Sequence, residues 1–254
     1  MDPAFIIGLV IAFGSLYAMI ALEGAHVEAL LLPAPMVLVF GATIAVGFAG
    51  TTLRDAIRAF KAVPRAFTGK TPDPRGTIDR LVALAETARR DGLLALEQEA
   101  SDTDDAFLAN ALQNIADGTD GDELRLLLEE EIGAYERAGA QSARFFKTLG
   151  GYAPTIGIIG TVVSLTHVLE KLDSPETIGP SIATAFVATL WGLLSANFIW
   201  LPLGDRLQRL TVLGAEQMTL VMEGALAIQS GSQPRVLGER LRAIVPGLAP
   251  AEPV

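Results

Sequence analysis

Four long stretches of this chain carry no Asp, Glu, Lys or Arg: residues 3–22, 29–53, 148–169 and 177–204. A helix needs about 20 largely apolar residues to cross roughly 30 Å of hydrocarbon. Each stretch meets that length. A soluble domain of 254 residues would spread its apolar side chains along the whole chain, whereas here they are gathered into blocks. The expectation is an all-α membrane protein with four transmembrane helices, at about 3–22, 30–53, 148–170 and 178–204. A large helical cytoplasmic domain lies between the second and third spans.

Orientation follows from the cations. Of 19 Lys and Arg, none precedes Arg54, thirteen run from Arg54 to Lys147, one is Lys171, and five lie from Arg206 onward. The short connections at 23–28 and 171–176 are therefore external, and both termini are cytoplasmic. The chain divides into an N-terminal hairpin (1–53), a cytoplasmic helical domain (54–147), a second hairpin (148–204) and a cytoplasmic helical tail (205–254) with its last residues disordered. Met1-Asp2-Pro3 puts an acid where a cleavable signal would carry a cation.

The segment 54–147 alternates apolar and charged residues at helical spacing, as in Ile78-Asp79-Arg80-Leu81-Val82-Ala83-Leu84. Pro72, Pro74 and Gly76 interrupt it, and Gly118 and Gly121 mark a second break. After the fourth span the tail is amphipathic through Ile228, loops at 230–234 and closes with a short helix around 236–244. The acidic runs at 97–105 and 129–131 fit solvated faces, with a charged partner surface as the alternative.

The last two spans differ in kind from the first two. Thr184, Ala188, Gly192 and Ala196 recur every four residues and form one stripe of small side chains. The third span carries Gly157, Gly160, Thr161 and Ser164. Such stripes let helices approach closely in lipid; they equally fit a polar path walled by the hydroxyls. Pro154 and Pro202 stand near the cytoplasmic ends of these two spans, where each deletes a backbone donor and can kink its helix.

An absence constrains function further. No Asp, Glu, Lys or Arg lies deep in any span; Glu170, Lys171 and His167 are near the external rim. Proton pathways depend on an intramembrane ionisable group, so a pathway along this hairpin requires a carboxylate from another subunit. The formal charge of −10 excludes a general nucleic-acid binder. Without cysteine there is no thiol chemistry. With no nucleotide-binding loop, nucleophile elbow or metal-ligand cluster either, no enzyme and no cofactor is expected.

These residues resemble the flagellar stator subunits of the MotA and PomA type, within the wider MotA/TolQ/ExbB proton-channel family. The core signature is Ala153-Pro154-Thr155-Ile156-Gly157-Ile158-Ile159-Gly160-Thr161-Val162, continued by Ile182 to Gly192 and by Leu201-Pro202-Leu203. Three further features resemble the stators in particular. They are the N-terminal hairpin, the segment Arg89-Arg90-Asp91-Gly92-Leu93-Leu94-Ala95-Leu96-Glu97, and the run from Met222 to Gly231 followed by Pro234-Arg235.

The resemblance implies an ion-conducting stator that turns ion flow into torque. Thr161, Thr189, Thr184 and Ala188 would line the ion path, and Pro154 and Pro202 would couple ion passage to movement. Gly157, Gly160, Gly192 and Ala196 would pack the helices. Arg89, Arg90 and Glu97 would contact the flagellar rotor switch protein. The implied partners are a MotB/PomB-type subunit supplying the intramembrane aspartate, membrane lipid and further copies of this chain in a pentamer. Sodium-driven members tend to carry a Thr pair where this sequence has Ala188-Thr189. Losing a hydroxyl removes a possible Na⁺ ligand, so the transported ion is expected to be H⁺ in preference to Na⁺. The alternatives are a TolQ/ExbB-like subunit energising outer-membrane processes and a non-conducting membrane scaffold.

Overall fold

The structure, a computed structural model, describes residues 2–170, 173 and 175–248. The expected external connection at 171–176 falls mostly outside the described residues, and so does the expected disordered end beyond 248. Every regular element among the described residues is helical. Helix α1 spans Ala4–Leu22. A short turn of 3₁₀ helix at Val27–Leu30 leads into α2, Pro33–Ala49. Then come α3 (Leu53–Thr68), α4 (Pro74–Asp91), α5 (Leu96–Ser101), α6 (Ala106–Ala116) and α7 (Gly121–Glu170). Helix α8 runs through Pro175–Leu194, a π-helical stretch at Ser195–Trp200, and Leu201–Gln229. Helix α9, Pro234–Ile244, closes the described chain.

The chain forms two compact units. The first holds residues 1–70 and 138–210, the second 71–137 and 211–254. The division falls inside α7 and α8 rather than at the expected span ends, so α7 and α8 each contribute to both units. A change from polar to apolar side chains marks where a helix enters lipid, but nothing in it interrupts an α-helical backbone.

In the first unit, α1 is apolar along its whole length, yet Ile20 is its only buried residue. Ile7, Val10, Ile11, Tyr17 and Leu22 are all exposed. So much contiguous apolar surface is untenable in water and is what a lipid-facing span presents. Among the described residues, three helices are long and apolar enough to cross a bilayer, α1 and the apolar parts of α7 and α8; α2 is apolar but shorter. The sequence expectation carried the second span to 53. The helix instead stops at Ala49, because Gly50 ends it and Thr52 caps the next one. The Asp55 amide donates to Thr52 Oγ1 at 3.2 Å while that hydroxyl donates to Asp55 Oδ2 at 2.8 Å. Leu53 is thus the first residue of α3.

Pro33 sits at the first turn of α2, where its missing N–H costs nothing. Residues Val37–Ala42 of α2 form a π-helical stretch, as do Ser195–Trp200 of α8. The second of these ends immediately before Leu201-Pro202. A proline ring clashes with the carbonyl four residues earlier, and widening the preceding turn relieves that contact without ending the helix.

An aromatic cluster fills the centre of this unit. Phe60 meets Phe145 at a centroid distance of 5.5 Å and Phe146 at 5.7 Å, and Phe146 stacks on Trp200 at 6.4 Å. Ala56, Ala59, Ala143, Ala153 and Ala196 let the helices reach one another around it. The second unit is a conventional amphipathic bundle. Ile78, Leu81 and Leu84 of α4 pack with Leu108 and Leu112 of α6, Leu124 and Leu128 of α7, Val221 and Ala225 of α8, and Leu237 and Leu241 of α9. Glu223 of α8 ties it together on the surface, accepting from Arg125 at 3.1 Å and Arg240 at 2.8 Å.

Candidate functional site: the third and fourth spans

The apolar parts of α7 and α8 make a close backbone contact at two glycines. A Cβ placed on Gly157 would lie 2.8 Å from the Ala188 carbonyl oxygen and 3.1 Å from Gly192 Cα. One placed on Gly192 would lie 2.8 Å from the Ala153 carbonyl oxygen. Only glycine fits at either position. A turn further along, Gly160 faces Ala188, with 2.8 Å between its Cβ position and the alanine methyl. Ala188 is 0% exposed and Ala196 is 1% exposed. The stripe at 188, 192 and 196 is therefore spent on packing inside the chain. Ala188, expected beside the ion path, has no surface to offer one.

Two hydroxyls meet at the outer edge of this contact. Thr161 Oγ1 and Thr189 Oγ1 are 2.5 Å apart, and Thr161 Oγ1 lies 2.9 Å from the Ala185 carbonyl and 3.2 Å from that of Gly157. Each hydroxyl has one proton and two lone pairs. With Thr189 donating to Thr161 and Thr161 donating to Ala185, both protons are used, and Thr189 retains acceptor capacity. Both residues are half-buried, so in that arrangement the pair presents an acceptor at the edge of the helix contact. Thr184 Oγ1 instead donates to its own helix, to the Pro180 carbonyl at 2.9 Å.

The two prolines lie at neighbouring levels. One turn before Pro154, the Gly150 position abuts Leu201, with Leu201 Cδ2 2.6 Å from where a Cβ would be, and Pro202 follows directly. Both proline rings are half-buried. His167 lies 3.5 Å from Glu170 at an exposed position.

Two interactions at opposite ends of this unit were not legible beforehand. Trp191 Nε1 donates to the Leu30 carbonyl at 2.6 Å, fastening the fourth span to the entrance of α2. At the other end, Arg206, only 10% exposed, donates to Asp2 Oδ2 at 2.7 Å and to the Ala66 carbonyl at 3.3 Å. The hydrogen bond from Arg206 holds the Asp2 carboxyl below the usual range for aspartate. An acid before the first span and an arginine just after the fourth were the only signals, and 204 residues separate them.

In the second unit Arg89, Arg90 and Glu97 are all exposed. Arg90 is engaged by its neighbour, donating from Nη2 to Asp91 Oδ2 at 2.7 Å and from Nε to the same carboxylate. This hydrogen bonding lowers the Asp91 carboxyl and raises the Arg90 guanidinium from their ordinary values. Gly92, at φ +86°, turns the chain sharply between Arg90 and Glu97. Leu94, 74% exposed, stands on that turn.

Residues 99–219 match the MotA/TolQ/ExbB proton channel family, and residues 6–92 match the motility protein A N-terminal family. Motility protein A of Bacillus subtilis is 34% identical over 251 residues, covering 97% of this chain and 92% of that protein. The chain belongs to the MotA/TolQ/ExbB proton channel family. Chemotaxis protein PomA of Vibrio alginolyticus is 31% identical, with 95% of this chain and 94% of PomA aligned. Among solved structures, the fold matches C. jejuni MotAB with a TM-score of 0.92 at 27% identity over 97% of each chain. It matches the flagellar MotAB stator complex from Bacillus subtilis with a TM-score of 0.89 at 31% identity over 96% of each. The all-helical fold of this family member, with its long apolar helices, is that of these stator structures.

Proposed function

We propose that this chain is the MotA-type subunit of a bacterial flagellar stator, converting ion flow into torque on the rotor. The observation that carries this reading is the likeness to motility protein A along 97% of the chain. The separate match of residues 6–92 to the motility protein A N-terminal family favours the stator over a TolQ- or ExbB-like role. In this reading the chain lies in the inner membrane with four spans, both termini cytoplasmic, and the segment 54–147 and the tail on the cytoplasmic side. Supporting the even number of crossings, Asp2 before the first span and Arg206 after the fourth meet at one end of the unit.

In this reading a MotB/PomB-type partner brings the intramembrane aspartate that the spans of this chain lack, and a pentamer of the chain surrounds a dimer of that partner. An ion reaches the carboxylate along the wall formed by α7 and α8, where the Thr161–Thr189 pair offers hydroxyl oxygens and Thr184 lies further along. Protonation neutralises the carboxylate and changes its preferred contact with the ring, and the ring shifts by one position. Pro154 and Pro202 allow the helix ends to flex as it does so. Arg89, Arg90 and Glu97 then engage the rotor switch protein through exposed ion pairs, which are weak and salt-screened and suit contacts that form and break at each step. Arg90 must exchange Asp91 for the rotor, which leaves Arg89 as the more available cation. No cofactor takes part, and the transported ion is H⁺ in preference to Na⁺, a reading supported by the match to a proton channel family.

Deleting the gene in its own organism tests the reading. Cells that keep their filaments but cease to swim, with swimming restored by the intact gene, are the expected result; undiminished swimming would overturn it. Swimming that tracks sodium and survives a protonophore would overturn the assignment of the ion.

A further inference from the structure

Helix α3 divides lengthwise into three sectors. Ala56, Ala59 and Ala66 are fully buried against the rest of the first unit. Next around the helix comes an exposed apolar stripe, Leu53, Ile57 and Phe67, beside the Phe60 of the aromatic cluster. Beyond it, at helical spacing, are Arg54, Arg58, Lys61 and Arg65. Within residues 54–70 there are five cations and a single acid, Asp55. Asp55 is 3.8 Å from Arg58, while Arg54 and Lys61 have no ion pair among the described residues.

Both ends of α3 are tied to span ends. Its start follows the last residue of α2 by four positions. Near its other end, the Ala66 carbonyl accepts from the same Arg206 that holds Asp2, two residues before α1 begins. Sixteen residues of helix measure about 24 Å. A helix of that length with both ends fixed at the mouths of spans runs along the membrane surface rather than away from it. There, an apolar stripe beside a cationic stripe is complementary to acyl chains beside phosphates.

We propose that α3 is a binding site for an anionic phospholipid, its phosphate held by Arg54, Arg58 and Lys61 and its chain lying over Leu53 and Ile57. These five residues line one open cleft on the outer side of the helix. The proposal rests on the membrane reading of the spans. Its consequence is that the first hairpin is seated preferentially in anionic lipid.

The test uses this chain purified with its partner subunit and reconstituted in nanodiscs of equal phosphatidylglycerol and phosphatidylcholine. The bound lipids are counted by native mass spectrometry. The intact complex retains phosphatidylglycerol over phosphatidylcholine. R58Q lowers that preference by about fivefold, the effect of one cation near an anionic surface, and R54Q/R58Q/K61Q abolishes it. Because these side chains are exposed, the thermal midpoint stays at the wild-type value. Equal retention of the two lipids by the intact complex, or an undiminished preference in the triple variant, would overturn the proposal. Displacement of phosphatidylglycerol by millimolar inorganic phosphate would also overturn it, showing a free-anion site instead. Failure to retain either lipid would count against the membrane reading itself, whereas retention of both without preference defeats this inference alone.

Discussion

Replacing Gly157 with alanine puts a methyl group against three backbone atoms of α8, at 2.8 Å from the Ala188 oxygen, 3.1 Å from Gly192 Cα and 3.2 Å from Thr189 Cα. None of these can rotate aside, so the strain falls on the distance between the helices. Ordinary contact begins at 3.4 Å, so the two helices must part by about 0.6 Å. The Thr161–Thr189 pair is one turn away and 2.5 Å across. The same movement stretches it to about 3.1 Å, past the usual range for O–H···O bonds. Overpacking of this kind costs about 1–3 kcal/mol, and each kcal/mol lowers the thermal midpoint of a chain this size by about 2–4 °C. Thermal unfolding of the purified complex and proton flux into vesicles holding it are the two assays. G157A lowers both the midpoint and the flux per assembled complex. Gly14 in α1, with nothing within 4 Å of its Cβ position, is the control, and G14A changes neither downward. A G157A complex with the wild-type midpoint and flux would refute the argument that this glycine contact sets the helix spacing and the hydroxyl pair.

Two further outcomes follow from the ion pair and the core. The Asp2 carboxyl is held below its ordinary value by Arg206, so its contribution to stability is complete above the unfolded-state pKa and is lost as pH falls through the lowered folded-state value. The midpoint difference between wild type and D2N is therefore constant near neutrality and shrinks in strong acid; a difference that grows on acidification would contradict the pairing. Leu112 is fully enclosed in the second unit, and L112A costs about 2–5 kcal/mol. Limited proteolysis of L112A accelerates within residues 71–137 while the spans stay protected; cleavage at the wild-type rate would count against that core.

How much was legible depended on whether the determining residues were close in sequence. The uncharged stretches announced α1 and the apolar parts of α7 and α8 because the cost of charge in hydrocarbon acts on each residue separately. Gly118, at φ +79°, and Pro74, at the first turn of α4, punctuated the second unit where the sequence indicated. The end of α2 was misplaced because Leu53 is as apolar as its predecessors; the Thr52 cap, a hydrogen-bond pattern rather than a hydropathy change, decides it. Of the two π-helical stretches, Ser195–Trp200 has a sequence cause in the Pro202 that follows it, whereas no proline follows Val37–Ala42 in its helix. Within the candidate site, the four-residue stripe was visible, but not which partner it faced. Gly160 opposite Ala188 assigns that alanine to packing, and Thr161 opposite Thr189 sets the hydroxyl pair apart from it.

The central claim is that α7 and α8 form a channel wall whose ionisable group belongs to another subunit. Proton flux into vesicles tests it across three preparations: this chain alone, the chain with its MotB/PomB-type partner freed of its plug segment, and the same complex with the partner's intramembrane aspartate changed to asparagine. Flux is expected only in the second. Flux of equal size through the chain alone, or through the asparagine complex, would contradict the claim.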